Sequence, residues 1–312
     1  MSPESASKVY YSRTENRKKF TEKILKMFAP EMKGKKKILV KPNIVSYEPY
    51  PTTTHPDVLR CVLAHLQKTA KAAEIIVGDG TVPDSPVTLG WGGRDVIKTH
   101  ELAGVCKEFG LRLRNLYDFG FRKVETSSGF ALRVSKVALE ADYMISLPIM
   151  KTHCIRSIGI TGALKNNFGL LASKDRIVLH SSGGLPFRAA RKVMGASGER
   201  PLALARKILG IRKEINLAIA ELNAIRKPDL FIVDMVDTLI NANELRHGGI
   251  KKHAGLMFAG KDPVALDCFG LGELRKIDPA LANREWHEIP AIRHALRLGI
   301  GTREFKKMEI RI

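Results

Sequence analysis

The chain has 312 residues, and 44% of them are hydrophobic, which is typical of a globular protein with a large buried core. Its 52 lysines and arginines outnumber its 32 aspartates and glutamates, so the net charge is +20. That charge predicts an attraction to phosphates, acidic ligands, nucleic acid or an anionic membrane surface. The four cysteines are far apart in sequence, which excludes a zinc knuckle or a cysteine-ligated iron–sulfur cluster and indicates a reducing compartment.

The amino-terminal residues are polar and lack the apolar segment of a signal peptide. No apolar run in the chain is long enough to cross a lipid bilayer. From these two observations we predict a cytoplasmic protein without a transmembrane segment.

The first part of the chain alternates apolar strand patterns with helical patterns. Strands are predicted at 8–12, 38–40 and 74–77, and helices over 14–32 and after Pro56. Polar side chains come directly after the second and third of these strands, and they are Lys41, Asn43 and Asp79. Ligands of α/β folds bind at the carboxyl ends of strands, so these three side chains are candidates for binding.

The start of the second helix carries a capping signal. Thr54 precedes Asp57 by three residues and Pro56 lies in the first turn, which predicts Thr54 as the N-cap. The free amides of a helix start also attract anions. Helix capping alone and ligand binding therefore both stay open for Thr54.

The middle of the chain predicts a helix at 95–109, a strand at 111–116 and a hairpin of 122–125 with 130–134. A continuous apolar run at 143–147 follows, which is typical of a buried strand in a parallel sheet.

The loop after this apolar run is rich in hydrogen-bond donors. Its polar residues include Lys151, His153, Thr161, Lys165, Asn166 and Asn167. Loops that only connect elements favour Gly, Pro, Asp and Ser, so this composition favours a binding site. A solvated basic loop that leads into a helix is the alternative.

The remainder of the chain continues the α/β pattern. His180 lies in a polar segment, residues 183–200 are predicted to be a mobile basic connector, and a long helix is predicted from Pro201. Two further strands, at 230–233 and 256–259, end near the carboxylates Asp234 and Asp262.

These elements predict the fold class. We expect a single α/β domain over 1–312, with a mostly parallel sheet of mixed edges, helices on both faces and a ligand crevice at the carboxyl ends of the strands. Two lobes joined by the connector at 183–200 are the alternative arrangement.

Side chains from the strand ends are expected to meet in that crevice. His153, with Lys151 or Lys165 beside it, is the acid–base candidate because histidine titrates near neutral pH, although a structural histidine is the alternative. The candidate ligand-binding residues are Lys41, Asn43, Thr54, Asp79, Thr161, Asn166, Asn167 and His180, whose polar groups suit phosphate or carboxylate oxygens. The candidate ligands of a divalent metal are Asp79, Asp234 and Asp262.

Six motifs occur in an order that resembles a known family. They are Lys-Pro-Asn (41–43), Thr-His-Pro (54–56), Gly-Asp (78–79), Lys-Thr-His (151–153), Thr-Gly-Ala-Leu-Lys-Asn (161–166) and Ala-Gly-Lys-Asp-Pro-Val-Ala-Leu-Asp (259–267). In this order they resemble the family catalogued as domain of unknown function 362, over nearly the whole chain.

This resemblance implies an α/β fold but no established activity. Many members of the family carry a ferredoxin-like cysteine cluster and are labelled iron–sulfur proteins, whereas this chain lacks those cysteines, so no such cluster is expected. Residues 241–245 also depart from the Gly/Pro-rich form that the family leads us to expect at one wall of the site.

A looser resemblance concerns Gly-Ala-Leu-Lys at 162–165. It is similar to the Gly-Gly-x-Lys loop in the amino-terminal domain of nickel-pincer lactate racemases, whose lysine holds the cofactor. The resemblance implies Lys165 as the point of attachment of a covalent cofactor.

Three classes of function fit these observations. The first is an enzyme that binds an anionic small molecule or a nucleotide-like cofactor, with redox or isomerisation chemistry on an acidic metabolite. The second is a nucleic-acid-binding protein with basic helices at 14–37 and 201–213, although no nucleic-acid motif is present and only 6% of residues are aromatic. The third is an accessory subunit whose basic surface docks an acidic partner protein.

Overall fold

A computed structural model describes residues 6–81, 96–182 and 214–312 of the chain. The described strands are β1 (Ser7–Arg13), β2 (Lys37–Pro42), β3 (Glu74–Asp79), β4 (Leu113–Asn115), β5 (Phe121–Glu125), β6 (Ala131–Ser135), β7 (Tyr143–Leu147), β8 (Lys151–Thr152), β9 (Ile160–Thr161), β10 (Leu230–Ile240), β11 (Ile250–Gly260) and β12 (Phe305–Glu309). The described helices are α1 (Arg17–Met32), α2 (Pro56–Thr69), α3 (Val96–Thr99), α4 (Glu101–Glu108), α5 (Lys136–Glu140), α6 (Ala163–Asn166), α7 (Ser173–Ser182), α8 (Ile215–Ile225), α9 (Pro263–Leu274) and α10 (Pro290–Arg297).

Eight strands form one sheet, in the order β12-β1-β11-β10-β7-β2-β3-β4. The run from β10 to β4 is parallel throughout, and β12 is parallel to β1. Only β11 is antiparallel to its two neighbours within the described sheet. The mostly parallel α/β sheet with a mixed edge is therefore confirmed, and so is the predicted hairpin, which is β5 with β6.

The central strands are buried on both faces, and alternate residues enter different cores. On β2, Leu39 faces one hydrophobic core while Ile38 and Val40 face the other. Met144 on β7 enters the first core, and Tyr143 enters the second. Side chains of a strand point to opposite faces in turn, so a continuous apolar run needs helices on both sides of the sheet.

Helices cover both faces, as predicted. The second core contains Phe20 of α1, Leu63 of α2 and Leu102 of α4. The first core contains Ile219 of α8 and Leu266 of α9 on the other face. Burial of these apolar side chains on both faces is the main stabilising term for such a fold.

Two predicted segments lie outside the described residues, the connector at 183–200 and the basic segment at 201–213. Of the long helix predicted from Pro201, the structure describes the part that forms α8. Within the described ranges, none of the helices combines the length and apolar character that crossing a bilayer requires.

Candidate functional site

A crevice lies at the carboxyl ends of β2, β3 and β7, which are neighbours in the parallel part of the sheet. Its described lining consists of Asn43, Ile44, Val45, Asp79, Gly80, Lys151, Thr161, Lys165, Asn166, Phe168, Gly169, Arg176 and Asn243. These residues come from segments scattered over about two thirds of the sequence. The sheet edge brings together Asn43, Asp79, Lys151, Thr161, Lys165 and Asn166, which are six of the residues chosen from sequence.

Asp79 lines the crevice and is held there by a buried ion pair. Lys41 Nζ donates to Asp79 Oδ1 over 2.6 Å, and both side chains are almost completely buried. Asp79 also accepts hydrogen bonds from the backbone amides of Ile44 and Gly80, each at 2.8 Å. Burial lowers the pKa of Lys41 below its usual range, while the attraction of Asp79 opposes that shift.

The short hairpin of β8 and β9 contributes a lysine and a threonine. Lys151 and Thr161 are direct cross-strand partners, which places their side chains side by side. Lys151 Nζ donates to the carbonyl oxygen of Thr52 over 2.5 Å. Thr161 Oγ1 is buried and has no hydrogen-bond partner among the described residues. The hairpin therefore presents one cation and one hydroxyl that is available for a ligand.

The turn of α6 carries Lys165 and Asn166, and a buried carboxylate holds its start. Asp267 on α9 accepts hydrogen bonds from the amides of Ala163, at 2.6 Å, and Leu164, at 3.1 Å. Burial raises the pKa of Asp267 to about 7, against the effect of these two amides. Asn166 Nδ2 donates to Ser146 Oγ over 2.8 Å, which ties the turn to β7.

Arg176 and Phe168 are lining residues that the sequence did not indicate as part of the site. Arg176 donates to the carbonyl oxygen of Gly80 and, over 2.9 Å, to the hydroxyl of Tyr117. Its guanidinium lies 5.6 Å from the centroid of the Phe168 ring, and Lys165 Nζ lies 5.4 Å from the same centroid. No spacing signal marks Arg176, because it reaches the crevice from α7 only through the tertiary fold.

Burial is the main cause of the lowered pKa values of the two lysines in the crevice. Burial lowers the pKa of Lys151 to about 7. The charge of Glu244 opposes this shift, and the charge of Lys165 adds to it. Burial also lowers the pKa of Lys165 to about 8, and the charge of Arg176 adds to that effect. Both ammonium groups therefore lose their protons more easily than an exposed lysine does. A bound anion would stabilise the protonated form of each lysine.

Asn43 and Thr54 brace the loop beside the crevice. Thr54 Oγ1 donates to the carbonyl oxygen of Leu147 over 2.6 Å and accepts from the amide of Asn43 over 2.8 Å. The N-cap of α2 is His55, whose Nδ1 accepts from the amide of Asp57. The prediction of Thr54 as the cap was wrong because its hydroxyl is engaged in tertiary contacts.

Like Lys41 and Thr54, three further candidates for binding or catalysis lie outside the described lining. His153 is buried, and its Nδ1 accepts from the amide of Ile155 over 2.9 Å. Asn167 directs its amide to Asn223 Oδ1 and to the carbonyl oxygen of Arg226. His180 lies in α7, but its side chain is outside the described residues. For each of them, a direct role at the crevice stays a prediction.

The three aspartates considered for a metal have separate sets of partners. Asp79 pairs with Lys41, while Asp234 accepts from Arg17 Nε over 2.7 Å and from the Tyr50 hydroxyl over 3.0 Å. Asp262 caps α9 through the amides of Val264 and Ala265. Over the parts of the chain that the structure describes, no three His, Cys, Asp or Glu side chains are grouped so that they could hold a metal ion.

Asn243 also lines the crevice, and it belongs to the stretch that departs from the expected Gly/Pro-rich form. Its Oδ1 accepts from the thiol of Cys154 over 3.3 Å. Glu48 supports the same stretch by accepting from the amides of Leu245 and Arg246, each at 2.8 Å. A carboxylate-bound loop thus replaces the glycines and prolines expected there.

A family model described as Domain of unknown function (DUF362) matches residues 38–272. The chain therefore belongs to this family, as the ordered motifs predicted. No curated protein matches the chain in sequence.

Several chains in solved structures are similar to this chain, and two of them show the degree of similarity. The lactate racemase apoprotein from Thermoanaerobacterium thermosaccharolyticum is 13% identical, with a TM-score of 0.44, and the match covers 86% of this chain and 57% of that one. A protein from Thermotoga maritima is 15% identical, with a TM-score of 0.41, and the match covers 91% of this chain and 59% of that one. The chain thus spans less than two thirds of each of these proteins, and the fold assignment rests on its own strands and helices.

Proposed function

We propose, with this family membership as the premise, that the crevice binds a small anionic molecule and that the chain is an enzyme acting on it. The supporting observation is the imbalance of charge along the lining. Lys151, Lys165 and Arg176 are cationic, whereas the one carboxylate among the described lining residues, Asp79, is already paired with Lys41. An anion would supply a counter-charge for Lys151 and Lys165, neither of which forms an ion pair with the described residues.

The size of the crevice favours a small anion. The described residues enclose a cavity of about 40 Å³. One water molecule needs roughly 10–15 Å³ on this measure, so the cavity has room for about three waters or for one group such as a carboxylate or phosphate. A larger ligand, such as a nucleotide-like cofactor, would have to extend outward from it.

Within this proposal, the polar groups of the crevice have different roles. Arg176 supplies a planar set of donors that suits a carboxylate or phosphate. Thr161 supplies a hydroxyl that has no other partner among the described residues. Lys151, whose pKa is about 7, is the acid–base group, because efficient proton transfer needs a pKa close to the working pH. This assignment favours isomerisation by proton transfer on an acidic metabolite.

Sulfate binding should weaken as the pH rises. Sulfate keeps its charge between pH 6 and 9, whereas Lys151 and Lys165 lose theirs as the pH passes about 7 and about 8. We expect the affinity, measured by isothermal titration calorimetry, to fall at least about tenfold between pH 6 and pH 9, which corresponds to ~1.4 kcal/mol. The protein should also take up protons when it binds sulfate near pH 8. This uptake would appear as a binding enthalpy that changes with the ionisation enthalpy of the buffer.

A charge-matched comparison separates this site from the general basicity of the chain. Lys151→Met should weaken sulfate binding about tenfold or more at pH 6. Lys306→Met removes the same charge from an exposed position on the edge strand β12 and should leave the affinity within about twofold. Equal losses in the two variants, or a pH-independent affinity, would contradict the proposal.

The same lysines determine how the stability of the free protein depends on pH. Their pKa values are lower in the folded chain than in the unfolded chain, so the unfolded chain binds more protons between about pH 7 and pH 10. The free energy of unfolding contributed by these groups therefore rises with pH through that window. Bound sulfate, which keeps both lysines charged, should flatten this rise in thermal melts.

A further inference from the structure

Lys165 differs from the other cations at the crevice. Within the described residues, its ammonium group makes no hydrogen bond or ion pair, and its neighbour is the ring of Phe168. Lys41 is paired with Asp79, Lys151 donates to the Thr52 carbonyl oxygen, and Arg176 donates to Gly80 and Tyr117. Three cations are thus held in place by acceptors, while the amine of Lys165 is left available in the same crevice.

The surroundings of this amine favour its neutral form. Burial and the charge of Arg176 lower the pKa of Lys165 to about 8. At pH 8 about half of the molecules then carry a neutral amine, compared with roughly one in 250 for an ordinary lysine of pKa 10.4. A neutral amine is the nucleophilic form of lysine, and desolvation beside another cation is a known way to produce it.

The hydroxyl of Thr161 is a second group in the crevice that a ligand could contact. Thr161 is buried, lines the crevice and has no hydrogen-bond partner for Oγ1 among the described residues. It is the direct cross-strand partner of Lys151. A buried hydroxyl is normally hydrogen-bonded, so this one can donate to an oxygen of a ligand bound in the crevice.

We propose that Lys165 is a nucleophile that forms an imine with the carbonyl carbon of a small 2-oxo acid, whose carboxylate is bound by Arg176 and Lys151. This inference rests on the proposed anion site and names its substrate class. The oxo acid supplies both groups that the crevice can recognise, a carboxylate for the held cations and a carbonyl for the available amine.

The reaction balances without an oxidant or a reductant. The lone pair on Lys165 Nζ attacks the carbonyl carbon, and the carbonyl π electrons move to oxygen to give a carbinolamine. That oxygen leaves as water with the two protons that the amine gives up, and a C=N bond replaces the C=O bond. When the imine is protonated, it withdraws electrons from the neighbouring carbon, which makes a proton on that carbon easier to remove.

Reductive trapping provides the test. The full-length protein is incubated with pyruvate and sodium borohydride at pH 8, and the products are analysed by intact mass and peptide mapping. We expect a covalent adduct with the mass of pyruvate minus one water plus two hydrogens, located on Lys165. Lys165→Arg should abolish the adduct because arginine keeps the charge but not the nucleophile. Lys174→Arg, at an exposed position on α7, should not change it.

The outcomes separate this inference from the proposal on which it rests. If the wild-type protein bound sulfate but formed no adduct at Lys165, the proposed imine formation would be rejected and the anion site would stand. Adducts spread equally over surface lysines would overturn it as well. Absence of both sulfate binding and adduct would reject the two proposals together.

Discussion

Asp79→Asn is expected to lower the free energy of unfolding by about 3–5 kcal/mol at neutral pH. The substitution keeps the shape of the side chain but leaves the Lys41 ammonium buried without its counter-charge. It also disturbs the carboxylate that accepts from the amides of Ile44 and Gly80. Urea unfolding followed by circular dichroism measures this loss.

The loss should become smaller as the pH rises. Without Asp79, the pKa of Lys41 falls further in the folded chain, while in the unfolded chain it stays near 10.4. The folded variant then holds a neutral lysine at high pH and avoids the cost of a buried charge. The difference from wild type should therefore be clearly smaller at pH 9 than at pH 6.

An exposed ion pair serves as the control for this variant. Lys261 and Glu31 are 2.8 Å apart, and their side chains are 52% and 39% exposed. Glu31→Gln should cost less than about 1 kcal/mol, because exposed pairs are screened by water. A loss below about 1 kcal/mol for Asp79→Asn, or a loss that does not change with pH, would show that the buried pair of Lys41 and Asp79 does not stabilise the fold as proposed.

Gly169→Ala is the second substitution with a large expected effect. A Cβ atom at this position would collide with Asp79 Oδ1 and would approach Lys41 Nζ to 3.0 Å. The ion pair has no free space to move into because both partners are buried. We expect a loss of about 2–4 kcal/mol, since overpacking and a displaced buried pair act together. Sulfate affinity should fall at least about tenfold, because Gly169 lines the crevice.

Gly104→Ala is the matched control for this change. Gly104 lies in α4, and a Cβ atom there meets no atom within 4 Å. Alanine is the better helix former, so stability should stay the same or rise by up to ~1 kcal/mol. If Gly169→Ala had a melting temperature and sulfate affinity like those of Gly104→Ala, the close approach of Gly169 to Asp79 would be contradicted.

The carboxyl ends of β2, β3 and β7 could be predicted from sequence because burial patterns are local, whereas β10 continues to Ile240, past the end predicted at residue 233. The apolar run of β7 and the polar residues after it identify a strand and its carboxyl end without any tertiary information. Parallel pairing of β7, β2 and β3 then brings Lys151, Asn43 and Asp79 to one edge. Six of the thirteen candidate residues chosen with the rule that ligands bind at such edges line the crevice.

The direction of individual side chains could not be predicted in this way. Asn166 and Asn167 are adjacent, but successive residues of a helical turn point about 100° apart. Asn166 therefore lines the crevice, whereas Asn167 directs its amide to Asn223 and Arg226. Arg176 was overlooked for the complementary reason, since nothing near it in sequence distinguishes an arginine that faces a crevice from one that faces solvent.

The sequence by itself determined the α/β pattern, the positive charge and the segments that end at the crevice, because each of these depends on composition or on neighbouring residues. Only the tertiary structure decided which polar groups are engaged and which are available. Lys41 pairs with Asp79, which is 38 residues further along the chain. Asp267 accepts a hydrogen bond from the amide of Ala163, 104 residues earlier, and so fixes the turn of α6. Partners at such separations meet only when the sheet is assembled, so the lack of a hydrogen-bond or ion-pair partner for Lys165 among the described residues is a property of the fold.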